Sequence, residues 1–297
     1  MLWMLLTLFY GVVKGLREIV KKKSLEKSTV MEVLFFYTLI GFLILIPDVG
    51  EVSLMEGRQY ALVALKSLVI FCAWLCGFRA IKEIPVSLYG LLDLSRVLFS
   101  VSLGVLVLGE VLTGFQAAGM CLVALGLMAL RFEGRFRRPE GGERANSEDR
   151  KKGSASSRLW LFVLLSFLSA FLNAVSGTMD KVLMKEISSA DLQFWYMLFL
   201  LLMYTVYMLV RRIKIDWKRT FRNYWIWILS ILFILADRAL FIANGIPESR
   251  VTVMTLIKQS GCIVTILGGR LVFKEKGVVF KLCCAAVIIS GIVIGVL

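Results

Sequence analysis

The sequence predicts an all-α, polytopic membrane protein of ten transmembrane helices, arranged as two inverted five-helix repeats. Three observations carry that reading. Apolar residues are 59% of the chain, charged residues 19%, and the mean hydropathy is +0.81. Soluble domains run at about 45–50% apolar and about 25% charged. The chain supplies ten mostly apolar stretches, each near the roughly 20 residues that a transmembrane helix needs. One stretch also occurs twice. Ile84-Pro85 opens an apolar run through Leu88, Leu91, Asp93, Arg96 and Phe99 to Gly109-Glu110, and a further apolar helix reaches Gly126. Ile246-Pro247 opens the second copy, through Met254 and Lys258 to Lys274-Glu275, and its following helix reaches Gly291. Pro85 stands as far from Arg96 as Pro247 from Lys258, and Glu110 as far from Gly126 as Glu275 from Gly291.

In chain order the expected spans are about 2–20, 29–47, 59–80, 85–108 and 113–131, then 158–180, 190–210, 222–244, 247–272 and 277–297. Met1 to Val13 lacks the basic opening and small-residue cleavage pattern of a signal peptide, so it reads as the start of the first span. The first repeat is residues 1–131 and the second 158–297. Residues 132–157 read as a basic cytoplasmic linker, because a segment rich in Arg, Glu, Gly and Ser buries too little apolar surface to fold. The repeats also match at their starts. Glu26-Lys27 before Phe35-Phe36-Tyr37 parallels Lys185-Glu186 before Phe194-Trp195-Tyr196. Two homologous units with an odd number of spans must sit upside down relative to each other.

Orientation follows from lysine and arginine placement. The loop after the first span carries Lys21, Lys22, Lys23 and Lys27; the loop after the third carries Arg79 and Lys82. The linker is strongly basic, the loop after the seventh span runs from Arg211 to Arg222, and the loop after the ninth holds Lys274, Lys276 and Lys281. The opposite loops hold only Arg58, Lys181, Lys185 and Arg250. The basic loops are therefore cytoplasmic and both termini lie outside. This bias accounts for the net charge of +14, so no nucleic-acid partner is implied.

The pattern of Ile-Pro, apolar helix, Gly-Glu and apolar helix ending in Gly resembles the EamA unit of the drug/metabolite transporter superfamily. It is carried by Ile84-Pro85 and Gly109-Glu110 through Gly126, and by Ile246-Pro247 and Lys274-Glu275 through Gly291. The resemblance covers the chain as two units. It implies an inverted-repeat secondary transporter with its site near the midplane where the repeats meet. Two features depart from the pattern. Lys274 stands where the first copy has Gly109, and members of the superfamily are described with cytoplasmic termini.

Ionisable residues at depth are the candidate substrate-binding set, because a charge in hydrocarbon is costly and usually faces a cavity. Arg96 and Lys258 lie about 16 Å into their helices, at about 1.5 Å per residue. Asp93, three residues before Arg96, shares its helical face, so an internal Asp93–Arg96 ion pair stands beside a ligand role for both. Lys14, Lys66, Asp237 and Asn173 complete the set, with interfacial snorkelling the competing role for Lys14 and Arg238. Lys258 has no acid within one helical turn, which gives it the sharpest expectation of touching substrate. Glu110 and Glu275 read as caps or turn residues, and Gly104, Gly126, Gly291 and Gly295 as close-packing positions.

These residues point to a secondary transporter that moves a small polar or anionic metabolite across the cytoplasmic membrane by alternating access. The excess of deep cations over Asp93 and Asp237 leans toward a carboxylate or phosphate. The competing readings are a lipid-intermediate flippase of the same fold, which needs a lateral opening, and a non-transporting membrane partner protein. No enzyme is expected, since no nucleophile, base and metal assemble. No cofactor or metal is expected either. The chain has no histidine, its six cysteines lie in apolar stretches and read as buried thiols, and no Gly-rich Lys-Ser/Thr nucleotide loop occurs. The implied partners are the lipid bilayer and a small-molecule substrate. The oligomeric state stays open between a monomer and a homodimer.

Overall fold

A computed structural model describes residues 2–46, 55–108, 113–129, 149–184, 186–244, 246 and 257–296. Gly109, Glu110, Arg131, Lys185, Pro247, Arg250 and Met254 lie outside the described residues, as does 132–148 of the expected linker. Among the described residues the regular structure is entirely helical. The helices are α1 (Leu2–Lys27), α2 (Val30–Leu45), α3 (Gly57–Glu83), α4 (Val86–Asp93), α5 (Ser95–Leu108) and α6 (Gly114–Ala129). They continue as α7 (Asp149–Leu183), α8 (Ser189–Val210), α9 (Trp217–Arg222), α10 (Tyr224–Asn244), α11 (Ser260–Phe273) and α12 (Val278–Val296).

Five helical stretches have the length and composition to cross a membrane: Gly57–Glu83, Val86–Val107, Leu159–Asp180, Ala190–Val210 and Val278–Gly295. Val30–Leu45, Gly114–Ala129 and Ser260–Phe273 are shorter apolar helices. Their outward faces are apolar. Leu106, Met128, Leu209, Val210, Leu271 and Val279 are each more than half exposed. A soluble surface does not carry apolar area on this scale, whereas a lipid-facing one must.

One helix starts earlier than expected, and two expected spans carry an internal irregularity. Helix α7 begins at Asp149, so residues 149–157, read as linker, continue the helix that precedes the membrane stretch. The expected span 85–108 is one membrane-crossing stretch, Val86–Val107, in which the backbone tightens at Leu94 and divides α4 from α5. Leu94 N–H donates to Leu91 O and Val97 N–H to Leu94 O, both at 3.1 Å and both spaced three residues apart. Ser95 Oγ donates to Leu92 O at 2.7 Å and occupies a carbonyl at the break. A second irregularity lies at Gln259, between the helical turn at Ile257-Lys258 and α11. The expected burial of the cysteines also holds only in part. Among the described residues the six cysteines form no disulfide, and only Cys262 and Cys284 are buried, while Cys121 and Cys283 are exposed on the apolar exterior.

Most packing crosses between the two halves of the chain. Helix α1 lies against α10 and α11, α3 against α7 and α8, α5 against α7, and α6 against α12. Small residues allow the closest approaches. A Cβ on Gly15 would stand 2.5 Å from Gly261 O, and one on Gly291 would stand 2.7 Å from Gly119 O. Gly126 and Gly291 thus serve the packing role read for them.

One end of the bundle collects the basic loops. Thr29 and Glu32 form a capping box at the start of α2, with Thr29 N–H donating to Glu32 Oε2 at 2.8 Å. The Glu32 carboxylate is 2% exposed and also accepts from Arg219 Nη2, at 2.9 Å to each oxygen. Asn223 Nδ2 donates to Ser24 O at 2.9 Å, and Lys22 donates to Ile84 O. The ends of α1, α3 and α9 therefore share one face. Two of the basic residues assigned to the loops from sequence, Lys21 and Lys281, are buried inside helices. Lys21 lies within α1 and is 9% exposed, Lys281 lies within α12 and is 2% exposed, and both are engaged inside the bundle.

Glu275 acts across the halves. Its carboxylate accepts from Val86 N–H at 2.6 Å, from Ser87 N–H at 3.2 Å and from the Ser87 hydroxyl, so it caps α4, while its own N–H donates to Gly269 O at 3.1 Å at the end of α11. Lys281 donates to Ser87 Oγ at 2.7 Å and adds positive charge beside the cap. Lys274, immediately before it, takes the left-handed conformation (φ 52°, ψ 36°) that ends α11, the conformation glycine adopts most readily. A left-handed non-glycine residue costs about 1–2 kcal/mol, and the Lys274 side chain is exposed. Lys274→Gly is therefore expected to raise the thermal midpoint of the purified protein, by the equivalent of about 1 kcal/mol. A lowered midpoint would show that the side chain contributes more than the backbone strain costs.

Candidate functional site

The site begins with a stripe on α1. Lys14, Arg17, Glu18 and Lys21 recur at helical spacing and share one face, which turns into the bundle. Lys14 Nζ lies 3.0 Å from Asp93 Oδ2, with the two side chains 21% and 25% exposed. Lys21 Nζ donates to both oxygens of Glu18, at 2.8 and 2.7 Å, and stands over the Phe78 ring at 4.8 Å. The Arg17 guanidinium lies 5.2 Å from the centre of the Phe233 ring, and its buried Nη1 has no hydrogen-bond partner. Tyr37, Trp74 and Phe233 contact one another at 5.2–6.1 Å and form the aromatic floor beneath it.

Two neighbouring cavities open among these groups. The smaller, about 70 Å³, is lined by Lys14, Arg17, Glu18, Lys21, Tyr37, Asp93, Arg96, Ser169 and Asn173, among others. The larger, about 190 Å³, is lined by Lys66, Ile70, Trp74, Arg96, Asn173, Ser176, Asp180, Gln193, Tyr196 and Asp237, among others. Trp74, Arg96 and Asn173 belong to both. In the larger cavity Lys66 Nζ stands 2.9 Å from Asp180 Oδ1 and 3.9 Å from the centre of the Tyr196 ring. Asn173 Nδ2 donates to Ser169 O at 2.8 Å, and Ser169 Oγ donates to Ala73 O at 2.8 Å, which ties α7 to α3 beside the cavity.

The structure thus brings six of the seven sequence candidates together: Lys14, Lys66, Asp93, Arg96, Asn173 and Asp237 line one cavity or both. Lys258 lines neither. It lies 5.8 Å from the centre of the Tyr10 ring, and the nearby charges that act on it are those of Lys14 and Arg96. The expected Asp93–Arg96 pair is replaced by Asp93–Lys14, so Lys14 points inward rather than snorkelling to an interface. Asp93 ends α4 and meets Lys14 of α1, while Arg96 stands beyond the break at Leu94, in α5, and lines both cavities.

Arg17, Glu18, Lys21, Asp180 and Tyr196 are site residues that the sequence reading did not single out. The first three carried a usable signal, since they continue the face of Lys14 at the helical period. Asp180 carried none, because nothing in its own helix specifies Lys66 as its partner.

An all-helical bundle with an apolar exterior and a charged interior cavity is a polytopic membrane protein. Residues 1–132 match the model of the EamA-like transporter family, so that part of the chain is similar to an EamA-like unit. A solved structure described as "Crystal structure of protein" has a TM-score of 0.60 at 14% identity, covering 97% of this chain and 95% of its own. At that identity the likeness is one of fold. No curated protein matches the chain.

Proposed function

We propose that the protein is a ten-helix secondary transporter that moves a small polar or anionic metabolite across the cytoplasmic membrane by alternating access between two inverted five-helix halves. The observation that carries the proposal is a charged cavity enclosed between helices of both halves in a protein whose outer surface suits lipid. Solvating such a cavity with protein dipoles and charges has value when a polar solute must cross hydrocarbon.

The packing supports two related halves. Let α4 and α5 count as one span, and pair the spans of the two halves in order. Then α1 against α10 is the counterpart of α3 against α7, and α1 against α11 the counterpart of α5 against α7. Likewise α2 against α10 is the counterpart of α3 against α8. The contacts α2 with α8, α4 with α11 and α6 with α12 are their own counterparts, as expected for elements astride a two-fold axis. The gathering of the α1, α3 and α9 ends supports the assignment of one basic face to the cytoplasm, with both termini on the other side.

The test is uptake into proteoliposomes over a panel of amino acids, sugars, phosphorylated metabolites and cationic dyes, driven by a proton or sodium gradient. Gradient-dependent accumulation of one polar or anionic class is the expected result. Exchange of labelled lipid intermediates between leaflets, with no solute uptake, would replace transport by lipid flipping.

A further inference from the structure

We infer that Arg17 and Arg96 form the anion-holding end of this cavity pair, so that the molecule bound there carries a carboxylate or phosphate. Calling that molecule the substrate rests on the transporter reading, whereas the charge preference of the cavity does not. A buried donor with no acceptor calls for an explanation, and a charged one most of all. Arg17 Nη1 is such a donor. The other cations along the smaller cavity have acid partners: Lys14 has Asp93 and Lys21 has Glu18. Lys66, in the larger cavity, has Asp180. Among the described residues no carboxylate lies within ion-pair distance of Arg17 or Arg96.

Geometry favours a ligand over a missing internal partner. The Arg17 guanidinium lies against the Phe233 ring, which Tyr37 and Trp74 contact in turn, so it stands beside a packed aromatic wall. A guanidinium offers paired N–H donors that match the oxygens of a carboxylate or phosphate. Asp237 and Glu18 are the acids whose charges act on Arg17, but neither makes an ion pair there: Glu18 is held by Lys21, and Asp237 lines the larger cavity. The arrangement therefore has two parts. An anionic head lies between the two arginines, and the body extends past Trp74 into the larger cavity, where Ile70 and Tyr196 offer apolar surface and Asp237 accepts a donor.

The charge preference can be measured without knowing the natural ligand. Asn173→Cys places a thiol on the wall common to both cavities. The purified protein is treated with the sulfonatoethyl and the trimethylammonioethyl methanethiosulfonates, which are similar in size and opposite in charge. Modification is read as the mass of the peptide containing position 173, so the native cysteines do not interfere. The ratio of the two rates, divided by the same ratio for a free thiol in solution, should favour the anionic reagent by about tenfold or more. Arg17→Met should remove most of that preference, and Arg17→Lys should keep it. Equal rates, a preference for the cationic reagent, or no reaction with either would overturn the inference, and the background with Arg17 intact already decides among them. If the preference holds while no solute in the uptake panel moves, the transporter reading falls and the anion site stands.

Discussion

Arg96→Met is expected to leave a folded protein in the membrane and to reduce uptake by about ten- to over a hundred-fold at substrate levels below saturation. The size follows from losing one charge-assisted hydrogen bond in a desolvated site, about 1.5–3 kcal/mol. The retention of fold follows from the surroundings. Arg96 lines both cavities and has no ion-pair partner among the described residues, so its removal strands no described acid. Methionine also fills much of the same space. Lys258→Met should have the smaller effect, because Lys258 stands beside Tyr10 outside both cavities. This reverses the order that the sequence suggests. Wild-type initial rates for Arg96→Met, measured in proteoliposomes, would remove Arg96 from the site.

The Lys14–Asp93 pair should dominate stability in the same region. Removing one member of a buried ion pair leaves the other charge without compensation, at a cost of about 3–5 kcal/mol for an enclosed pair. The partial exposure of these side chains, 21% and 25%, puts this pair toward the low end. Lys14→Met and Asp93→Asn should each lower the thermal midpoint and the yield, and the double change should recover most of both. The recovery is the informative part, since it measures the coupling rather than the two single losses. If Asp93 were instead the partner of Arg96, the double change Arg96→Met with Asp93→Asn would recover and the pairing with Lys14 would be wrong.

These expectations show which features one chain can reveal about itself. The membrane class follows from composition, and the helices follow from apolar stretches whose periodicity and length are local. The candidates at depth were legible for the same reason. A lone Lys, Arg or Asp in an apolar run stands out, and Lys14, Lys66, Asp93, Arg96, Asn173 and Asp237 do line the cavities. Their pairing was not legible. Asp93 chooses Lys14 over Arg96 because α1 packs against α4, a tertiary contact that no local pattern specifies. Charge counting also has a blind spot. It treated Lys21 and Lys281 as solvated loop residues, yet Lys21 is held by Glu18 and Lys281 by Ser87. Glu275 could be read as a cap from its place at a helix end, but its target, α4 in the other half, is a tertiary fact.

Alternating access requires the same pair of cavities to serve both sides of the membrane, so the sidedness of access to their shared wall is the most direct measurement. A protein bearing Asn173→Cys is placed in sealed vesicles of each orientation and treated with a membrane-impermeant maleimide, with modification read at the peptide containing position 173. Alternating access predicts modification from both faces, and the rate from one face should fall when a transported solute or its driving gradient holds the cavity open to the other. Modification from one face alone under every condition, or from neither, would contradict the account.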